Sequence, residues 1–309
     1  MLDHPLTAQT PEEVYDASTL DCYAFRRGSD VRRGLSLALG NMVAGFGFDL
    51  QGVHFHNSEC AYIAGMFSLG TPEHTAVVRQ LVACDDGWEA KKKIRKAHEQ
   101  ERREDWLSFN VPWMHYLVWQ KCLTSEAFRK LLLAFPSEAI LLEDSTYATS
   151  ATATKWGMRN AELRRRLTAM KRELTAQGMN KTTIKREQDK MRLGEWSTIG
   201  EWRGQNLLGK ILMDCRDAMR YQTKPLIDYA LLRAAQIDLL GQELTAQTPE
   251  EVYDASTLIC DGRAKKKGDS RTTSTITLSR DEKTRTSDLH VPNVARYQLC
   301  YIPRETTAP

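Results

Sequence analysis

The chain has 309 residues, of which 41% are apolar and 27% charged, with a net charge of +3. This excludes a collagen-like, disulfide-stapled or wholly disordered polypeptide and provides enough chain for a sizeable core. The most apolar stretch, Leu35 to Leu50, is interrupted by Gly40, Asn41, Gly45 and Gly47, and a bilayer span needs about 20 apolar residues. Met1 to Pro5 lack a basic and apolar leader, and the seven cysteines form no CxxC pair. The expectation is a soluble, cytoplasmic protein with reduced thiols and no membrane partner.

In chain order, residues 1–34 are expected as an N-terminal helical extension. Leu6 to Leu20 reads LTAQTPEEVYDASTL, and Leu244 to Leu258 repeats the same fifteen residues. Thr10-Pro11-Glu12-Glu13 has the form of a helix start, with a capping Thr, Pro at the first position and Glu closing a capping box. Each copy is therefore predicted as a short surface helix. Partial alternation around Phe46, Phe48, Leu50, Val53 and Phe55 predicts one or two short strands. Thr71-Pro72-Glu73 opens a helix to about Cys84, and Trp88 to Trp106 reads as charged helix. Trp113 to Phe135 supplies one or two apolar helices broken near Thr124-Ser125-Glu126. A Thr/Ser/Ala loop covers Ser145 to Thr154. A long basic helical stretch, Ala161 to Leu193, breaks near Gly178. Two more helices are expected over Asn206–Tyr221 and Lys224–Leu240.

Charge is uneven. Met158 to Leu193 holds eleven Lys/Arg against four Asp/Glu, and Asp261 to Pro309 ten against six. The first excess is either a solvated helical face or an arm for a polyanion such as nucleic acid. Residues 261–309 have too little apolar content to offset ordering entropy and are predicted disordered. Their TRTSDLHVPNVARYQLCYIP stretch has the look of translated non-coding sequence.

Three local patterns carry chemistry. Gly204-Gln205-Asn206-Leu207-Leu208-Gly209-Lys210 feeds a glycine loop into a helix N-terminus. Unpaired N–H groups and the helix dipole there favour an anion, Asn206 is placed to cap the helix or meet a ligand, and Lys210 lies one turn on. The alternative is a plain helix cap. His54 and His56 share one face of a strand, so a shared metal competes with a polar strand end followed by a helix capped by Asn57 or Ser58. Trp106, Trp156 and Trp202 lie beside polar neighbours, as stacking platforms or as core. A carboxylate, stacking aromatics and an anion-binding helix end together suit a nucleoside-phosphate ligand and N-glycosidic cleavage.

These residues resemble the NADAR domain family, also called YbiA-like. The likeness runs through Asn41 in GNMVAGFGF, Ser58-Glu59-Cys60-Ala61-Tyr62, Met66-Phe67, Trp106, Met114, Lys121, Leu131-Leu132-Leu133, Leu141 with Glu143, Trp156-Gly157, and Gly204 to Arg216. It covers about Leu35 to Met219. Cys60, Met66 and Ala153 stand where the family has His, Lys and Asp, and Asp144 is a candidate substitute for the last. The resemblance implies a predominantly α, α+β fold: a compact multihelical YbiA-like domain with a few short strands. Residues 35–243 would form the NADAR-like catalytic domain, 158–200 a basic helical insertion, and 244–260 the repeat.

The resemblance further implies a hydrolase of N-glycosidic bonds without cofactor or metal. Its substrates would carry ribosyl-phosphate or ADP-ribose: ADP-ribosylated guanine, or phosphoribosylamino-pyrimidines of riboflavin synthesis. Glu59, Trp106 and Trp156 would be catalytic. Asn41, Lys121, Gly157, Gly204, Asn206, Gly209 and Lys210 would bind substrate. The competing expectations are a catalytically weakened nucleotide- or nucleic-acid-binding module, engaging nucleic acid through 158–193, and a metal hydrolase at His54 and His56.

Overall fold

The computed structural model describes residues 2–150, 153–194 and 199–244. Helices predominate over several small sheets, an α+β arrangement. The second copy of the repeat beyond Leu244 and the predicted tail, 261–309, lie outside the described residues.

The chain opens with β1 (Glu13–Asp16) and β2 (Cys22–Phe25), then a hairpin of β3 (Val31–Arg32) and β4 (Leu35–Ser36). Residues 2–34 thus hold short strands joined by turns in place of the expected helical extension, and the helix predicted for the first repeat copy does not form. The Thr10 hydroxyl accepts from the Thr7 N–H at 3.0 Å, behind it in the chain, so it caps no following turn. Val14 and Tyr15 instead alternate outward and inward on β1, with Tyr15 buried. Sheet pairing overrides the local helix signal.

The strands predicted around Phe48 and Phe55 form as β5 (Phe48–Leu50) and β6 (Val53–Phe55). Their two-residue turn, Gln51-Gly52, has positive φ at both positions, the geometry that matches strand twist in a hairpin. Next come α1 (Ser58–Ala64), a 3₁₀ turn at Gly65–Phe67, and α2 (Pro72–Ala83). Thr71 caps α2 by accepting from the His74 N–H, as its sequence predicts.

The charged stretch after α2 is broken. It consists of α3 (Gly87–Glu89), a π-helical turn at Ala90–Ile94, α4 (Arg95–Ala97) and a 3₁₀ turn at Glu99–Glu101. α5 (Trp106–Thr124) and α6 (Glu126–Leu133) meet at Ser125, at the predicted break. β7 (Ile140–Glu143), α7 (Ala153–Trp156) and β8 (Arg159–Asn160) follow. α8 (Ala161–Ala176) and α9 (Lys181–Leu193) turn back on each other at Gly178, where φ is positive. β9 (Glu201–Gly204) leads into α10 (Leu207–Tyr221).

The helix predicted over Lys224–Leu240 is reduced to α11 (Tyr229–Ala234), capped by Asp228. Positive φ at Gln236, Leu240 and Gly241 then produces a hairpin of β10 (Asp238–Leu239) and β11 (Gln242–Glu243).

Two pairings between distant segments organise the molecule. β2 lies parallel to β7, and β1 lies antiparallel to β9, which also pairs with β8. α10 packs across β7 and α5, so the main core fills the space between them with Phe25, Phe55, Trp113, Leu141 and Leu212. A smaller core of Tyr15, Met158, Leu163, Leu167 and Trp202 sits under α8. Among the described residues no helix is long and apolar enough to cross a membrane.

Candidate active site

Three elements place charged groups together. α1 begins at Asn57, whose Oδ1 accepts from the Cys60 N–H at 2.9 Å while its Nδ2 donates to the Asp85 carbonyl at 3.0 Å. The predicted cap is therefore present, and it fixes Glu59 in the first helical turn. The Glu59 N–H donates to the Asn41 carbonyl at 3.0 Å, so Asn41 contributes through its backbone. Glu59 is only 6% exposed, and Lys91 Nζ stands 3.4 Å from its Oε1. Lys91 comes from the π-helical turn, a local widening often found where a side chain must be re-aimed.

Glu143 ends β7. Its N–H donates to Asn206 Oδ1 at 3.3 Å and its carbonyl accepts from the Met158 N–H at 2.8 Å, which holds the backbone on both sides. The side chain has no such partner: Oε2 is sealed from solvent without a hydrogen bond among the described residues. Burial pushes this carboxyl up to about 7. Lys91 opposes the shift, and the charges of Glu59 and Asp144 add to it. Glu59, Lys91 and Glu143 therefore feel one another's charge.

An aromatic wall adjoins them. Tyr62, one turn beyond Glu59, meets Trp106 edge-on at 4.9 Å and Trp156 at 5.5 Å. Burial, and then the charge of Glu59, raise the Tyr62 hydroxyl, while Arg95 and Arg102 counter the rise. Trp156 is half-buried, with the Lys155 ammonium 5.8 Å from its ring. Trp106 is 2% exposed and packs on Phe109, and Trp202 is fully buried in the smaller core. Of the three tryptophans, Trp156 is the one with a face outside the core.

The glycine motif has a different physical meaning from the one expected. A Cβ on Gly209 would overlap the Leu141 carbonyl and crowd the Asn206 amide, so this glycine lets α10 press onto β7. Gly204 approaches the Gly157 carbonyl, and Gly157 approaches the Glu143 carbonyl and the Ser145 hydroxyl. Asn206, in left-handed conformation, makes no helix cap: Nδ2 donates to the Leu141 carbonyl at 2.8 Å and Oδ1 receives the Glu143 N–H. Lys210 is 2% exposed, and its ammonium lies 2.8 Å from Glu13 on β1 rather than beside an open anion site. Arg216 donates to the carbonyls of Ala139 and Ser137 at 2.8 and 2.6 Å, and thereby anchors the loop that leads into β7. The segment acts as a clamp that aims Glu143.

Lys121 is no solvated helix lysine. It is 1% exposed, donates to the Ser58 hydroxyl at 3.2 Å and stands 4.0 Å from the centre of the Phe128 ring. Burial lowers its pKa to about 7. His54 and His56 are exposed with rings 5.5 Å apart, and His54 Nδ1 meets Asp49 Oδ1 at 2.7 Å. Among the described residues no group of three or more His, Cys, Asp or Glu is placed to hold a metal ion. Asp144 is engaged elsewhere, accepting from the Thr146 N–H at 3.0 Å and lying 4.0 Å from Arg192.

The arrangement pairs Glu59, beside the Lys91 amine, with a second carboxyl, Glu143, that holds its proton to about neutral pH, next to an aromatic face. Such a pair can stabilise a developing cation with one member and deliver a proton with the other. Lys91 escaped sequence analysis because it is one of three consecutive lysines. Glu143 closes the apolar run Ile140–Leu142, and that position is the only signal of its burial. No protein-family model and no curated protein sequence matches the chain.

Proposed function

We propose that the protein is an N-glycosidase of the NADAR, YbiA-like type, acting on ribosyl-phosphate or ADP-ribosyl compounds. The supporting observation is the unequal carboxyl pair, Glu59 beside Lys91 and Glu143 kept protonated by burial. In this reading Glu59 stabilises positive charge at the ribose anomeric carbon and orients the attacking water. Water adds to that carbon and passes a proton to the Glu59 carboxylate, the C–N bond breaks, and the leaving base takes a proton from Glu143; solvent then removes the proton from Glu59 and returns one to Glu143. Tyr62 and Trp156 present the ring faces against which the base or ribose stacks. Lys91, Arg95 and Arg102 supply positive charge for the phosphate groups. Glu143 thereby serves as the acid in a chain that has Ala153 where the family has Asp.

The test is turnover of ADP-ribosylated guanosine and of the phosphoribosylamino-pyrimidine intermediate, side by side, by the full chain. Glu59→Gln is expected to lower kcat by at least about 10²-fold with an unchanged circular dichroism spectrum. Equal rates in the two proteins would overturn the assignment. A second reading, nucleic-acid binding, draws on α8 and α9, where Arg164, Lys171, Arg172, Lys181 and Lys185 are exposed and carry no ion pair among the described residues. It requires binding that weakens steeply with salt in the absence of turnover.

A further inference from the structure

Two thiols meet beside the candidate site. Cys60 is the third residue of α1 and follows Glu59 directly, and Cys84 is the residue that ends α2. The Cys60 sulfur donates to the Cys84 carbonyl at 3.3 Å and lies within hydrogen-bonding reach of the Cys84 thiol. The Cys84 sulfur donates to the Asp86 carbonyl at 3.2 Å. Asn57 ties the same two segments, since its Oδ1 takes the Cys60 N–H and its Nδ2 reaches the Asp85 carbonyl. The two sulfurs differ in access: Cys60 is fully buried and Cys84 only half-buried. Burial, and then the charge of Cys84, raise the Cys60 thiol above its ordinary range. Cys84 has left helical geometry, with φ −87° and ψ 122°, so its side chain can turn without striking the preceding helical turn. A second close pair, Cys122 on α5 and Cys215 on α10, is enclosed in the main core.

We propose that Cys60 and Cys84 form a reversible oxidation site, in which hydrogen peroxide joins them in a disulfide that ties the start of α1 to the end of α2. Cys84 reacts first because it is the sulfur that solvent reaches. Its sulfur attacks one peroxide oxygen, the O–O bond breaks, and Cys84 sulfenic acid and one water result. The Cys60 sulfur then attacks the Cys84 sulfur. The S–S bond forms, the S–O bond breaks, and the departing hydroxide takes the Cys60 proton and leaves as a second water. Two electrons pass from the two sulfurs to one peroxide. A disulfide needs an S–S distance of about 2.05 Å, and rotation of Cys84 about its Cα–Cβ bond, away from the Asp86 carbonyl, supplies the approach. Cys122 and Cys215 have the proximity without the access and stay reduced. Closing the link pulls on the first turn of α1, where Glu59 stands 3.4 Å from Lys91. The resulting loss of turnover rests on the N-glycosidase reading, and the disulfide itself does not.

The test treats the folded full chain with hydrogen peroxide, alkylates the remaining thiols in denaturant, and maps non-reduced tryptic peptides by mass spectrometry. Cleavage after Lys and Arg leaves Cys60 as the one cysteine of residues 34–79 and Cys84 as the one cysteine of 80–91, so a link between these peptides identifies the pair. The expected result is that link in most chains, its loss on adding dithiothreitol, its absence from Cys84→Ser, and Cys122 and Cys215 recovered as alkylated thiols. Cys84 recovered as a free thiol, or as sulfinic acid beside an unoxidised Cys60, would overturn the proposal. So would linkage of Cys84 to any other cysteine. Turnover is read in the same samples. The wild type is expected to lose rate several-fold on oxidation and to regain it on reduction, while Cys84→Ser keeps its rate in peroxide. An unchanged wild-type rate with the link formed would overturn the coupling to Glu59. A reduced chain that turns over neither substrate would remove the N-glycosidase reading, and the peptide map would still decide the disulfide.

Discussion

At the scale of single residues, Glu143 and Lys121 make opposite claims on pH. The folded pKa of Glu143 stands near 7, above its ordinary 4.5. Its burial is therefore harmless below about 4.5 and destabilising as pH rises through 7. Glu143→Gln should raise the melting temperature above pH 7, by on the order of 2 kcal/mol of stability, and leave it unchanged at pH 4. In turnover the same substitution should remove the fall in rate that the wild type shows as Glu143 loses its proton above pH 7. A variant with a rate profile parallel to the wild type would remove Glu143 from the acid role. Lys121 has a folded pKa near 7 against an ordinary 10.5, so its penalty is absent above 10.5 and grows as pH falls towards 7. Lys121→Met keeps the stem volume and should raise the melting temperature at pH 7 more than at pH 10. Thermal melts at the two pH values decide this. None of this was legible in the sequence. A lysine near the end of an apolar helix and a glutamate after three apolar residues acquire their environments only from α1, β2 and α10, which are remote in the chain.

At the scale of elements, α9 is fastened by one buried guanidinium. Arg192 is 3% exposed and lies 2.7 Å from Asp30, 4.0 Å from Asp144 and 3.7 Å from Asp189. Arg192→Ala would leave Asp30 and Asp144 buried without their cation, a loss of about 3–5 kcal/mol. Protease cleavage within α8 and α9 should then accelerate well before the rest of the chain is cut. Uniform cleavage of the whole chain would show that the clamp serves the entire fold. Gly209→Ala tests the packing of α10 on β7. Its methyl group has no room beside the Leu141 carbonyl, and a loss of about 1–3 kcal/mol is expected, read as a lower urea midpoint. Elements with local codes were readable: the short strands around Phe48 and Phe55, the Thr71 cap on α2, the Ser125 break and the Gly178 turn. β1, β2, β7 and β9 were not, because each is four residues long and specified by its partner strand. The Gly204–Lys210 motif was visible as a motif but its purpose was misread. Close backbone approach and anion binding both call for glycine, and only the neighbouring Leu141 carbonyl separates them.

At the scale of the whole molecule, the two long-range strand pairs also set an order of events. β2 has no partner until β7 exists, and β1 has none until β9 exists. Chains leave the ribosome N-terminus first, so both early strands wait while the helices between them assemble around α5. Closing such distant pairs carries a loop entropy that local helix contacts avoid. Burial of Tyr15 should therefore be a late step of synthesis. On stalled nascent chains, protection of the first repeat from protease should be absent when the chain ends before Glu201 and present once Lys210 has emerged. Through that interval the N-terminal segment is open to chaperones, and the strand that ends in Glu143 is seated before the strand that the repeat duplicates.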